Sequence, residues 1–210
     1  MKKKEEVSQT QQIRKQVQTM KKGTIFFSDA FSYENKAVLR VVLSRLIAEG
    51  LIERLGAGIY LHPKHSKVLQ KNVTPSIEEI ARAVAEKEKS RLAPSGSYAL
   101  YKLGLSTQVP TVAVFLTDGS PRKLVLKDGR TVVFKRTTAR NLAFASKSMQ
   151  LLVASLKEIG EANLTAEHMS KIRKIFEAIP EHEYKADRNL APEWMQKLFM
   201  RIKKQQVPGI

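Results

Sequence analysis

Residues 26–63 read FFSDAFSYENKAVLRVVLSRLIAEGLIERLGAGIYLHP, and this stretch decides the fold. Ser28 can cap a short helix that runs to Phe31, with Asp29 favourable in its first turn. Residues 32–35 form a turn. From about 34 to 49, Val38, Leu39, Val42, Leu43, Leu46 and Ile47 recur at three- and four-residue steps. That spacing makes one core-facing stripe on a helix. Gly50 stands where a left-handed cap ends such a helix. Residues 51–55 and 59–61 are strand-like, and Gly56-Ala57-Gly58 joins them as a hairpin. Short helix, turn, helix and hairpin is the order of a winged helix-turn-helix. Such a module is expected to lay its second helix in the major groove of DNA.

Within that geometry the start of the second helix faces the base edges, which makes Tyr33, Asn35, Lys36 and Arg40 the candidates. Asparagine can pair bidentately with adenine, and arginine or lysine with guanine. Lys36, Arg40 and Arg45 can equally touch phosphates only, adding affinity without sequence information. Ser44 lies off the apolar stripe with them. The hairpin offers Arg54, Ala57 and Gly58, the last two small enough to approach a backbone closely. Arg54 could instead pair with Glu49 or Glu53. A solvated helix face remains the plain alternative for the whole set.

Charge agrees with a polyanionic partner. The 210 residues carry 37 Lys and Arg against 20 Asp and Glu, a formal charge of +17. Cationic side chains gain affinity for nucleic acid by releasing phosphate counterions. Up to residue 75 there are 14 Lys and Arg against 6 Asp and Glu, leaving 23 against 14 in the rest. The excess is therefore spread over both halves. Absence of cysteine excludes disulfides and thiolate metal sites. No apolar run approaches the roughly 20 residues of a membrane span, and the lysine-rich start lacks the apolar stretch of a secretory signal. A cytoplasmic location without membrane attachment is expected. Lys2, Lys3 and Lys4 read as a disordered basic arm.

Before the module, Ile13, Val17 and Met20 have helical spacing and Gly23 is a stop. Ile25, Phe26 and Phe27 suit a small strand. After it, residues 62–73 read as a linker, so residues 1–73 form the first domain and 74–210 the second. Pro75 and the Ser76-x-x-Glu79 box start a helix. Residues 93–96 break the chain, and a short helix over 97–103 stops at Gly104. Residues 109–117 are a buried strand, and 123–126 and 131–135 a hairpin closed by Asp128-Gly129. Helices follow over about 141–159, 165–178 and 192–204. Trp194, Leu198, Phe199 and Ile202 read as core. The class is α+β: a winged module, then a mixed domain with a small antiparallel sheet and several helices.

Catalytic and metal signals are weak. His62 and His65 flank Pro63 and Lys64, a poor metal pair, and Glu181-His182-Glu183 lacks the HExxH arrangement. There is no phosphate loop, GxGxxG or GxSxG elbow. A non-enzymatic protein without cofactor or metal is expected. Arg122, Lys123, Lys127, Arg130, Lys135, Arg136 and Arg140 form a basic set associated with the predicted sheet. It suits an acidic protein surface, RNA, flanking DNA, or simply solvent.

Three motifs carry a family resemblance. They are GxIxRxxxGxYxxP over residues 50–63, the core from Ser95 and Ser97 through Tyr98-Ala99-Leu100 to Gly104-Leu105, and the strand pair with PRxL and VxFKRT. Together they resemble the AbiEi-like antitoxins of abortive-infection toxin–antitoxin systems, over almost the whole chain. The resemblance implies a transcriptional autorepressor bound to repeats in its own promoter. It also implies a second domain that counteracts a nucleotidyltransferase toxin. The chain departs from the pattern at Gly96-Ser97-Tyr98, where related members have Arg or His after the serine. The alternative is a winged-helix regulator whose second domain senses a ligand or protein, with no toxin partner.

Overall fold

The computed structural model describes residues 2–31 and 35–204. The fold class is α+β, as the element order shows. Two compact units divide the chain: Met1–Ala83 with Leu124–Arg130, and Val84–Lys123 with Thr131–Ile210. The division falls at Ala83/Val84, and a later segment returns to the first unit.

In the first unit, α1 (Lys2–Thr19) presents Ile13 and Val17 to the core. Lys2, Lys3 and Lys4 belong to this helix, which replaces the expected disordered arm. Strand β1 (Ile25–Phe27) and a 3-10 turn over Ser28–Ala30 lead towards α2 (Lys36–Ala48). The apolar stripe of α2 buries Leu39, Val42, Leu43 and Leu46. These pack with Phe26, Phe31, Ile52 and Tyr60. Phe26 stacks on Tyr60 with ring centroids 5.7 Å apart. Gly50, at φ 71°, ends the helix in the left-handed region. Strands β2 (Glu53–Gly56) and β3 (Ile59–Leu61) close the hairpin, and the sheet runs β1-β3-β2, antiparallel throughout.

Residues 62–73 are not a bare linker. They hold a second hairpin, β4 (His65–Ser66) and β5 (Lys71–Asn72). Asn72 ties it to β2 by donating from Nδ2 to Glu53. His62 is buried and its Nδ1 bonds the Met20 carbonyl, while exposed His65 faces Asn72. The segment Leu124–Arg130 reaches the open edge of β2. Lys127 N donates to Leu55 O at 2.9 Å, and Leu126 bridges Gly56. Gly56 lies against this segment, with the Val125 carbonyl 3.4 Å from the position a Cβ would take.

Helix α3 (Ile77–Lys87) starts at the expected box. Ser76 N donates to Glu79 Oε2 at 2.7 Å, and Glu79 N donates to Ser76 Oγ at 3.2 Å. Pro75 therefore precedes the cap instead of occupying the first helical position. Ser76→Ala should cost about 1 kcal/mol in thermal or urea unfolding. The backbone and hydroxyl of Ser76 hold the Glu79 carboxyl below its ordinary 4.5. A lowered carboxyl contributes stability above its unfolded value and loses it as pH falls through the folded one. Ser76→Ala keeps the backbone N–H that accounts for most of this lowering, so its deficit should shrink in acid only by the hydroxyl's share; a deficit that grows as pH falls to 3 contradicts this reading.

The second unit holds β6, β7, β9 and the start of β8, in a four-stranded sheet of order β6-β7-β9-β8. Its strands are β6 (Leu92–Ser95), β7 (Val112–Thr117), β8 (Arg122–Val125) and β9 (Thr131–Arg136). The sheet is mixed and not antiparallel throughout, because β7 and β9 pair in parallel from Val112↔Thr131 to Thr117↔Arg136. The chain leaves β7 for the far edge, and β9 returns between them. The expected break at 93–96 is the edge strand β6, which tolerates Pro94 because it has a neighbour on one side only. Helix α4 (Gly96–Lys102) follows directly.

Four helices complete this unit: α5 (Lys147–Ile159), α6 (Ala166–Glu177), α7 (Glu181–Asp187) and α8 (Glu193–Lys204). Helix α5 starts at Lys147 and not near 141, where a 3-10 turn over Ala139–Leu142 stands instead. The cause is Asp187, only 1% exposed, whose carboxylate accepts from Ala145 N and Ser146 N at 2.9 and 2.8 Å. Ser146 then caps α5. Leu198, Phe199 and Ile202 of α8 are core as expected, with Trp194 packed beside them. No helix among the described residues is long and apolar enough to cross a membrane.

Candidate functional site

Helix α2 and the β2–β3 turn enclose a groove of about 860 Å³ within the first unit. Phe31, Leu39, Leu43 and Tyr60 form its floor. Lys36, Arg40 and Ser44 stand along one wall. Their four-residue steps place them on one face of the helix. Arg54, Ala57 and Gly58 make the other wall. These six were singled out from the sequence, and the fold brings all of them together. Lys36, Arg40, Ser44, Arg54 and Ala57 are exposed.

Two other candidates fall elsewhere. Asn35 is the N-cap of α2, its Oδ1 accepting from Ala37 N at 2.9 Å and Val38 N at 3.4 Å. Its carbonyl oxygen thus serves the helix end. Arg45 lies on another face, in a hollow with Thr10, Val38, Val41 and Val42. Tyr33 lies outside the described residues.

Arg54 does not pair with Glu49 or Glu53. Glu49 holds Arg14 at 2.5 Å and Glu53 accepts from Asn72. The Arg54 guanidinium donates from Nε to Gly56 O at 3.2 Å, which keeps it along the turn. Sequence reasoning missed Ser28 and Asp29 as lining residues. Ser28 reads as a helix cap, yet its N donates to Gly58 O at 3.0 Å and so joins the groove's end to the turn. Lys36, Arg40 and Arg54 outnumber Asp29 among the charged lining residues, so the groove favours an anionic ligand.

The second basic set is divided between the two units. Lys127 and Arg130 belong to the first unit, and Arg130 pairs with Asp128 at 2.6 Å and donates to Pro75 O at 3.2 Å. In the second unit, Arg122 pairs with Glu88 and lies over the Phe134 ring at 5.9 Å. Arg140 donates to Asn189 O at 2.7 Å. Lys123, Lys135 and Arg136 are exposed. Burial, together with the Arg140 charge, holds Lys157 below the usual lysine range, and its Nζ donates to Asn141 Oδ1 at 3.0 Å. Among the described residues, no group of three or more His, Cys, Asp or Glu could hold a metal ion.

A family model matches residues 12–183, a span that includes α2, the β2–β3 hairpin and the four-stranded sheet. No curated protein matches the chain. The chain belongs to DUF6088, a family of unknown function.

Proposed function

We propose that this protein is a winged helix-turn-helix regulator that binds double-stranded DNA and represses its own promoter. One observation carries the reading: a helix face and a hairpin turn bring Lys36, Arg40, Ser44 and Arg54 to a single groove. Further support comes from the element order and the β1-β3-β2 sheet, in which α2 takes the place of a recognition helix and β2–β3 that of the wing. The 3-10 turn over Ser28–Ala30 stands in for the first helix of the pair. Net positive charge supplies the long-range attraction.

The antitoxin role rests on the resemblance in the motifs of residues 50–63, 95–105 and 121–137. In this reading the protein acts by binding in the cytoplasm and is not an enzyme; a nucleotidyltransferase toxin is its partner. The test is a binding titration on the DNA upstream of its own gene. Binding there should exceed that to unrelated duplex, and log affinity should fall linearly with log salt concentration. Equal, weak binding to both duplexes removes the autorepressor reading. Co-expression with a nucleotidyltransferase from the neighbouring gene should restore growth; failure removes the antitoxin role alone.

A further inference from the structure

The segment Leu124–Arg130 adds a second projection beside the β2–β3 turn. It is fastened to β2 through the backbone, by the Leu126–Gly56 bridge and the bond from Lys127 N to Leu55 O. The Leu126 side chain is buried beside Gly56, while those of Val125 and Lys127 take no part in the attachment. Val125 is 60% exposed and Lys127 is exposed.

This projection shares a hollow of about 360 Å³ with the groove. Ile47, Arg54 and Ala57 line both, while Val125, Leu126 and Lys127 line only the hollow. The surface beginning at Lys36 is therefore continuous, past Arg54, to Lys127. No acidic residue lines the hollow. The nearest acid in sequence, Asp128, is held by Arg130 at 2.8 Å through Nε. Among the described residues Lys127 has no ion pair.

We infer that the 124–130 turn is a second wing, with Lys127 contacting a DNA phosphate beyond the contacts of α2 and the β2–β3 turn. The inference rests on the DNA-binding reading above and extends it to a new element. A duplex seated on α2 presents phosphates at regular intervals along the groove walls. A cation at the end of that surface, in a hollow that no acidic residue lines, meets the next of them. The strand-like attachment to β2 pre-organises that contact, so little entropy is lost on binding.

The experiment uses the full chain and duplex DNA from upstream of its own gene. Lys127→Glu should weaken binding about tenfold at 0.1 M salt and reduce the salt slope by about one. Its thermal unfolding should match the wild type, because the fastening uses the backbone. The chain has no cysteine, so Lys127→Cys can carry a single tethered iron chelate. Strand cleavage should then appear on one flank, outside the base pairs protected by α2. Unchanged affinity and slope in Lys127→Glu, or no flank cleavage from position 127, overturns the second wing. If Arg40→Ala still weakens binding in that case, the groove reading survives. Absence of any DNA binding by the wild type overturns both.

Discussion

Phe199→Ala is expected to destabilise the protein by about 3–5 kcal/mol, the largest effect of any single truncation proposed. Phe199 is fully buried in α8. Its ring stacks on Phe176 of α6 at 4.8 Å and 5°, and meets Tyr184 of α7 edge-on at 6.5 Å. Three helices thus converge on one side chain. Truncation loses the transfer free energy of the ring and leaves a cavity that only partial relaxation can close. It also removes aromatic pairing worth about 0.5–1.5 kcal/mol for each pair beyond area burial. Phe199→Leu keeps most of the volume and should cost roughly half as much or less. Urea unfolding followed by circular dichroism measures both. A loss under about 1 kcal/mol for Phe199→Ala contradicts the stacked arrangement.

The second large effect concerns binding. Arg40→Ala is expected to cost about 1–3 kcal/mol against the upstream DNA if its guanidinium reads a base edge, with specificity relaxed at one position. Lys36→Ala should weaken binding more evenly across sequences and lower the salt slope by about one, as expected of a phosphate contact. Arg45→Ala is the internal control, because Arg45 lies in a hollow on another face of the same helix. All three side chains are exposed, so stability should hardly change. Fluorescence anisotropy at several salt concentrations separates the outcomes. An Arg45→Ala defect equal to that of Arg40→Ala would falsify the assignment of the groove as the DNA face.

The parts of the fold legible in the sequence were those written in local signals. Leu39, Val42, Leu43 and Leu46 specify α2 by their period, Gly50 ends it, and Ser76 with Glu79 starts α3. What escaped was set at a distance. The start of α5 depends on Asp187, 41 positions from Ser146. The parallel pairing of β7 and β9 depends on which strand returns to the centre, and no local pattern encodes that choice. Strands of two residues, as in β4 and β5, are too short for alternation to show. Within the site, the spacing of Lys36, Arg40 and Ser44 was readable because four-residue steps share a face. The capping role of Asn35 was not readable, because the helix begins at Lys36 and a residue expected inside it becomes its cap. Arg45, one step from Ser44, rotates by about a quarter of a turn away from the groove.

The first unit is discontinuous in the chain. Its last segment, residues 124–130, is made after residues 84–123 have been synthesised. At roughly 5–20 residues per second, the ribosome takes about 2–8 seconds over that interval. Throughout it the nascent module has an unprotected β2 edge, with the Leu55 carbonyl still awaiting the amide of Lys127. The order of folding is therefore not simply N-terminal first: the module near the start of the chain can be completed only when the first part of the second unit has been made. The same logic governs dissection, since a fragment ending at residue 83 would lack the strand-like segment that closes its own sheet.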